Sequence, residues 1–132
     1  MKTLRNTSLL IIALFLLSCA TSKKFPVSSI APAADISASK KKDNHNNYVV
    51  AITAKNLASV DRVAPSKSTY VVWILTDNEG IKNLGQLSIR NARTSKLKSL
   101  TPFDFSEIFI TAEEQGNVTY PQGLEITRVN IK

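Results

Sequence analysis

The apolar run at residues 70–75, Tyr-Val-Val-Trp-Ile-Leu, constrains the fold of this chain more than any other stretch. β-Branched and aromatic side chains favour a pleated strand, and a run this short suits a strand better than a helix. Because no polar residue interrupts it, the run predicts a strand that is covered on both faces. We therefore expect Tyr70 and Trp73, the only tryptophan in the chain, to lie in the core.

Turn signals and further apolar stretches around this run predict an all-β fold. Asp-Asn-Glu-Gly at 77–80 predicts a hairpin loop with positive φ at Gly80, and Gly85 predicts a bulge or a close backbone approach. Ile108 and Ile110 are expected in the core of another strand. The remaining strands are predicted at 48–54, 81–90, 96–101, 107–112 and 124–131. With no long helical period for crossovers, these elements favour a small antiparallel β-sandwich, immunoglobulin-like, over residues 48–132.

The stretch at 96–101 differs from the other strands because lysines alternate with Leu97 and Leu100. Short strands flanked by lysine are typical of sheet edges, where the charges prevent pairing with another chain. We therefore expect this strand at an edge of the sandwich.

The first 18 residues have the three parts of a secretory signal peptide. Lys2 and Arg5 supply positive charge, and an uninterrupted apolar run follows at 9–17. Nine helical residues rise about 14 Å, which is far less than the ~30 Å hydrocarbon core of a bilayer. The segment is therefore expected to be a cleaved leader rather than a permanent transmembrane helix.

The Leu-Leu-Ser-Cys sequence that closes this segment resembles the lipoprotein box of bacterial lipoproteins. That resemblance implies that Cys19 carries lipid and becomes the first residue of the mature chain. Several acyl chains add about 0.8 kcal/mol per buried methylene, which anchors a protein stably to a membrane. Ala20 is not an acidic retention signal, so the resemblance favours the outer membrane of the cell envelope. A soluble secreted protein, or a buried free thiol, is the alternative.

Residues 19–47 are predicted to contain the lipidated cysteine and a flexible linker. The stretch is rich in Ser, Ala, Lys and Asn, holds Pro26 and Pro32, and has no sustained apolar period. Such a composition is typical of disordered segments. Its lysines can contact anionic lipid, although a simple solubilising spacer is an equal alternative.

Charge and composition argue against several classes of site. The formal net charge is +7, and the densest basic cluster, at 90–98, lacks the interleaved aromatics expected for nucleic-acid binding. His45 is the only histidine, so no metal ligand set is predicted, and no cofactor motif occurs. The paired carboxylates at 77/79 and 113/114 fall in predicted turns. We therefore expect no catalytic residues and no enzyme activity.

The polar loop at 113–123 is the best candidate for binding a partner. It is long, and Tyr120 is followed by the rigid Pro121. Glu113 and Glu114 add charge at its start. We predict that Glu113, Glu114 and Tyr120 contact a partner, with Tyr120 closing the end of the core as the alternative.

From Tyr70 onward the chain resembles the C-terminal domain of anti-sigma-K factors, an extracytoplasmic β-sandwich. The resemblance spans about 60 residues and rests on core and turn positions, namely Tyr70, Trp73, Gly80, Leu84, Gly85, 108–111, Glu113, Gly116 and 120–123. It implies a stand-alone sensory or interaction domain. The cytoplasmic domain that holds the sigma factor and the transmembrane helix of a full anti-sigma factor have no counterpart in this sequence.

Two functions follow from these features. The first is a non-enzymatic, lipid-anchored envelope protein that binds a protein partner, plausibly in envelope signalling. The second is a module that binds glycan or cell wall, which requires exposed aromatic side chains. Tyr48, Phe103 and Tyr120 are the candidates for that role.

Overall fold

The computed structural model describes residues 20–91 and 93–132, so the predicted leader and Cys19 lie outside the described residues. Within them the chain forms one short helix, α1 (Val60–Val63), and nine strands. The strands are β1 (Thr21–Lys24), β2 (Asp35–Lys42), β3 (Tyr48–Lys55), β4 (Thr69–Thr76), β5 (Ile81–Gln86), β6 (Ser88–Asn91), β7 (Thr94–Thr101), β8 (Phe105–Glu113) and β9 (Leu124–Asn130).

The strands form two antiparallel sheets that pack face to face. The five-stranded sheet has the order β1-β2-β3-β7-β6, and the four-stranded sheet has the order β5-β4-β8-β9. The prediction of an all-β, antiparallel sandwich is confirmed. Burial of one face of each sheet against the other produces the main core.

Strand β4 is the centre of the four-stranded sheet, paired with β5 on one side and β8 on the other. Its inward residues, including Val72 and Ile74, join the main core, while Trp73 points to the outer face and is still fully buried. Tyr70, Trp73, Ile108 and Ile110 are each less than 9% exposed, as predicted; Trp73 belongs to a second cluster on the outer face and the other three to the main core.

Two glycines adopt the backbone conformations expected from the sequence, Gly80 in a hairpin and Gly85 at a bulge. Gly80 has a φ of 74° in the β4–β5 hairpin, and Gly85 has a φ of 134°, where the pairing of β4 with β5 shifts register. The chain leaves the four-stranded sheet there, and Leu87 N donates to the Tyr70 carbonyl before β6 joins the other sheet. The predicted strand at 81–90 is therefore two strands in different sheets.

The prediction of an edge strand at 96–101 was wrong. Strand β7 pairs with β3 along its whole length and with β6 on its other side, so it lies inside the five-stranded sheet. Lys96 and Lys98 point outward from that sheet, while Leu97 faces the core. The alternation of lysine with leucine in β7 therefore indicates that one face of the sheet is exposed to solvent, and it does not indicate an edge strand.

The flexible linker predicted for residues 19–47 was also wrong. Strands β1 and β2 both lie in this stretch, and β2 pairs with all eight residues of β3. Phe25, Ala31, Ile36 and Ala38 are buried in the main core. The folded domain therefore begins near residue 21 instead of residue 48.

Strand β2 was not predicted because small and charged residues occupy most of the positions that alternate between its two faces. In β2 the inward positions are Ile36, Ala38 and Lys40, separated by outward serines. Lys40 takes an inward position because its ammonium lies 4.1 Å from the Phe105 ring centre and 2.7 Å from Asp104 Oδ1. This contact holds the pKa of Asp104 below its ordinary value.

The connection between β1 and β2 ties the two sheets together at one side. Ser28 Oγ donates to the carbonyl oxygen of Ile126 at 2.7 Å and accepts from the amides of Ile30 and Ala31. Thr127 Oγ1 donates to the Pro26 carbonyl at 3.1 Å. Residues 26 and 28 follow β1 of the five-stranded sheet, whereas residues 126 and 127 lie in β9 of the four-stranded sheet. These hydrogen bonds therefore join the two sheets along this edge of the sandwich.

Candidate functional site

The loop between β8 and β9, residues 114–123, lies on the outer face of the four-stranded sheet. A second, smaller core lies beneath it, formed by Val71, Trp73 and Phe109. The Trp73 and Phe109 rings stack with centroids 6.3 Å apart, and Val118 of the loop packs on this cluster. The loop therefore covers apolar surface, which explains why β4 is buried on both faces.

A buried chain of hydrogen bonds connects this small core to the end of the loop. Trp73 Nε1 donates to Thr111 Oγ1 at 2.8 Å, and that hydroxyl donates to Glu113 Oε1 at 2.6 Å. The same carboxylate oxygen accepts from the backbone amides of Gln122 and Gly123, each at 3.1 Å. A buried carboxylate with several donors is stable only as a satisfied network. The network therefore fixes where the loop returns to β9.

The prediction that Glu113 contacts a partner was wrong, because its side chain is only 1% exposed. Glu113 is the last residue of β8 and points to the same outer face as Phe109 and Thr111. The loop then folds back over that face and covers the carboxylate. Glu113 therefore positions the loop.

The first half of the loop is held by Asn83 of β5. Its Nδ2 donates to the carbonyls of Gly116 at 2.9 Å and Val118 at 2.8 Å, while its Oδ1 accepts from Gly85 N at 2.8 Å. A side-chain amide can do both because it has donors and an acceptor. Near the loop's start, Ser68 Oγ donates to the Glu114 carbonyl. The loop backbone is thus fastened at its start, near its middle and at its end.

The other two predicted loop residues face solvent. The side chain of Glu114 is 70% exposed, with one oxygen 3.7 Å from Lys67 Nζ, and Tyr120 is 63% exposed. Tyr120 therefore stands out from a backbone that is held on both sides. A groove of about 560 Å³ lies beside the loop, between residues 81–85 of β5 and 116–119.

Charged groups border the loop on the remainder of this outer face. Arg128 lies 4.1 Å over the Phe109 ring and forms ion pairs with Glu107 at 2.6 Å and Glu125 at 2.9 Å. The hydrogen bond from Arg128 lowers the pKa of Glu125, and the bonds to Glu125 and Glu107 raise that of Arg128. Arg128 therefore holds both carboxylates beside the Phe109 ring.

A second cavity, of about 370 Å³, lies at the end of the sandwich beside α1. Tyr70 contributes to its wall, and its hydroxyl donates to the Ala58 carbonyl at 2.8 Å. Burial raises the pKa of Tyr70 to about 12. Since the hydroxyl is protonated near neutral pH and already bonded, it serves to close this end of the core.

The described part of the chain contains no side-chain cluster suited to a metal ion. Among residues 20–91 and 93–132, no group of three His, Cys, Asp or Glu side chains is placed to hold a metal ion. His45 is exposed on the β2–β3 hairpin, where its amide donates to Asp43 Oδ1 at 2.8 Å. None of the helices in this part has the length and apolar character needed to span a bilayer.

No family model, curated protein or solved structure matches this chain. The loop at 114–123, with Tyr120 at its surface, is the feature of the described residues that best fits a binding site.

Proposed function

We propose that this protein is a lipid-anchored component of a bacterial cell envelope whose β-sandwich binds a protein partner without catalysing a reaction. The anchor follows from the apolar run at 9–17 and the lipoprotein-box cysteine, Cys19. The binding role rests chiefly on Tyr120, which is exposed on a loop whose backbone is held by buried hydrogen bonds.

A fixed loop reduces the entropy lost on binding. Flexible loops lose conformational freedom when a partner orders them, and this loss subtracts from the affinity. Here the contacts from Asn83 and Glu113 already order the backbone on either side of Tyr120. Tyrosine is among the residues that most often dominate the energy of protein interfaces, since it offers a large apolar ring and a polar end. Tyr120 is therefore expected to contribute most of the binding energy of the contact with the partner.

A role in envelope signalling is the form of this function that the sequence favours. The residues shared with the anti-sigma-K C-terminal domain include Trp73, Gly80 and 120–123. In this protein they lie on β4, in its hairpin and in the loop itself. A domain of this kind would act outside the cytoplasm by binding another envelope protein.

The exposure of the aromatic residues favours a protein partner over a glycan. Of the three candidates for a sugar-binding platform, only Tyr120 is exposed. Tyr48 packs edge-on against Phe105 at 6.1 Å, and the Lys82 ammonium lies 4.9 Å above the Phe103 ring. A single exposed ring provides little surface for stacking a polysaccharide.

Site-specific crosslinking tests the binding role. The full chain would carry a photoreactive amino acid at position 120 or, as a control, at position 98 on the opposite face, and native membranes would be irradiated. We expect one envelope protein to crosslink from position 120, and Tyr120→Ala to abolish its co-purification while Gln115→Ala does not. Equal crosslinking from both positions, or co-purification that survives Tyr120→Ala, would contradict the proposal.

The anchor has a separate test. Cys19→Ala should leave the protein without acyl mass and release it from membranes, as measured by mass spectrometry and fractionation. Membrane retention of this variant would show that Cys19 is not the anchor.

A further inference from the structure

The outer face of the five-stranded sheet is basic. Val50, Ile52 and Ala54 of β3 are buried, so they point toward the core. The residues between them on β3, and their partners on the neighbouring strands, therefore point to the outer face. One set of charged side chains lies at these outward positions. The set consists of Lys24, Lys41, Lys55, Lys96 and Lys98, with Asp35 as its acidic member. Serine, threonine and alanine lie between these lysines, so only small side chains separate the positive charges.

Most of this charge is unneutralised. Asp35 pairs with Lys24 at 3.4 Å. The other four lysines have no salt-bridge partner within residues 20–91 and 93–132. On the outer face of the four-stranded sheet, Glu107 and Glu125 pair with Arg128, and the loop covers Glu113. The unpaired lysines therefore lie on the side of the domain opposite the Tyr120 loop.

The predicted membrane attachment lies next to the basic face. Strand β1 begins at Thr21, two residues after Cys19, which is a span of about 7 Å at most. Thr21 lies opposite Lys40, so the chain enters the sheet at the end where Lys41 and Leu100 project from the outer face. Leu100 is 58% exposed. With a connection this short, the sheet cannot move far from the lipid surface.

We infer that this basic face lies flat on the anionic lipid headgroups of the membrane that holds the anchor. The inference rests on the proposed function, because it requires attachment at Cys19. Each lysine near an anionic surface strengthens the contact by about fivefold, and a short covalent connection keeps the local lipid concentration high. Leu100 adds an exposed apolar side chain at the same end of the sheet as Thr21. The Tyr120 loop, on the opposite outer face, then points away from the membrane.

Depth-dependent quenching tests this orientation. The full lipidated chain would be reconstituted in vesicles of phosphatidylcholine, with or without phosphatidylglycerol, containing lipid with a nitroxide on its headgroup. A fluorophore would be attached at Ser39→Cys on the basic face or at Thr119→Cys on the loop. Acylation blocks the Cys19 thiol, so each variant takes one label, and mass spectrometry reports the acyl groups directly.

The inference predicts strong quenching at position 39 in anionic vesicles, weaker quenching in neutral ones and none at 119. Lys96→Gln with Lys98→Gln should lower the ratio of docked to undocked protein on the order of 30-fold. The matched pair Lys82→Gln with Lys132→Gln, which removes two charges elsewhere, should leave it unchanged. Raised salt should weaken quenching at 39, because it screens exposed charges.

The outcomes separate the two proposals. If the acylated protein stays in the vesicles but position 39 is not quenched, the docking face is wrong and the anchor stands. Equal quenching at 39 and 119 also overturns the orientation. If no acyl mass is found on Cys19 and the protein leaves the vesicles, the proposed anchor and the docking face are both wrong.

Discussion

The carboxylate of Glu113 and the indole of Trp73 are joined by a single hydroxyl. Thr111 accepts from Trp73 Nε1 at 2.8 Å and donates to Glu113 Oε1 at 2.6 Å. The central strand and the return of the 114–123 loop therefore share one buried network. A change at either end should affect the stability of the domain and the order of the loop together.

Trp73→Ala should destabilise the domain by about 3–5 kcal/mol, because it removes the largest buried side chain and the donor to Thr111. That cost is comparable to the whole stability of a small domain. Trp73→Phe keeps a ring against Phe109 and should cost less. Urea unfolding measures both, and an unchanged midpoint for the alanine variant would contradict a buried Trp73.

Glu113→Ala should cost about 2–4 kcal/mol, because it leaves the Thr111 hydroxyl and the amides of Gln122 and Gly123 without their acceptor. The two amides should also exchange their hydrogens faster. Glu114→Gln is the matched control, and its exposed contact with Lys67 should contribute less than about 1 kcal/mol. Equal effects of the two substitutions would show that Glu113 does not hold the loop.

Gly123→Ala should cost about 1–3 kcal/mol, since an added Cβ would collide with the Ala112 carbonyl oxygen and displace the loop. Gly80→Ala provides the comparison. Its Cβ would meet nothing within 4 Å, so only the φ of 74° opposes it, at a cost of about 1 kcal/mol. Thermal unfolding measures the loss of stability in both variants. Hydrogen exchange of the loop amides should become faster only in Gly123→Ala.

Stability should fall as pH rises from about 10 to 12, in part because of Tyr70. Burial raises its pKa to about 12 in the folded state, so over this range the unfolded chain loses a proton that the folded chain keeps. The resulting loss is about 1–2 kcal/mol, relative to lower pH. Tyr70→Phe removes this pH-dependent component. The difference in unfolding free energy between the wild-type protein and this variant should therefore shrink as pH rises. A constant difference in urea midpoint from pH 8 to 12 would contradict it.

The parts of the fold that could be predicted from the sequence are those with dense apolar patterning. The run at 70–75, the Gly80 hairpin and the strand holding Ile108 and Ile110 all lie where expected. In the two strands, long side chains dominate burial, and local pattern and tertiary packing agree.

The parts that failed are those where small residues form the core. Ala38 buries little surface, and Lys40 occupies an inward position through partners more than 60 residues away. A local pattern cannot report such contacts. The alternation of 36, 38 and 40 with two serines is the signal that would have indicated β2.

The position of the 114–123 loop could be predicted from the sequence, but the way it is held could not. Tyr120 is exposed, which agrees with the contact role and not with the alternative of closing the core, whereas Glu113 is a buried support. Asn83 and Thr111 were missed, because nothing local distinguishes a structural amide or hydroxyl from a solvated one. The spacing of Phe109, Thr111 and Glu113 on one face of β8 is the available signal.

The pairing of β2 with all eight residues of β3 determines where the chain can be shortened. A recombinant fragment that starts at Tyr48 would lack the two N-terminal strands and expose a full row of unpaired amides and carbonyls on β3. Its inward Val50, Ile52 and Ala54 would also lose their cover. Such a fragment is expected to aggregate by adding strands from other copies, whereas one that starts at Ala20 keeps the sheet intact.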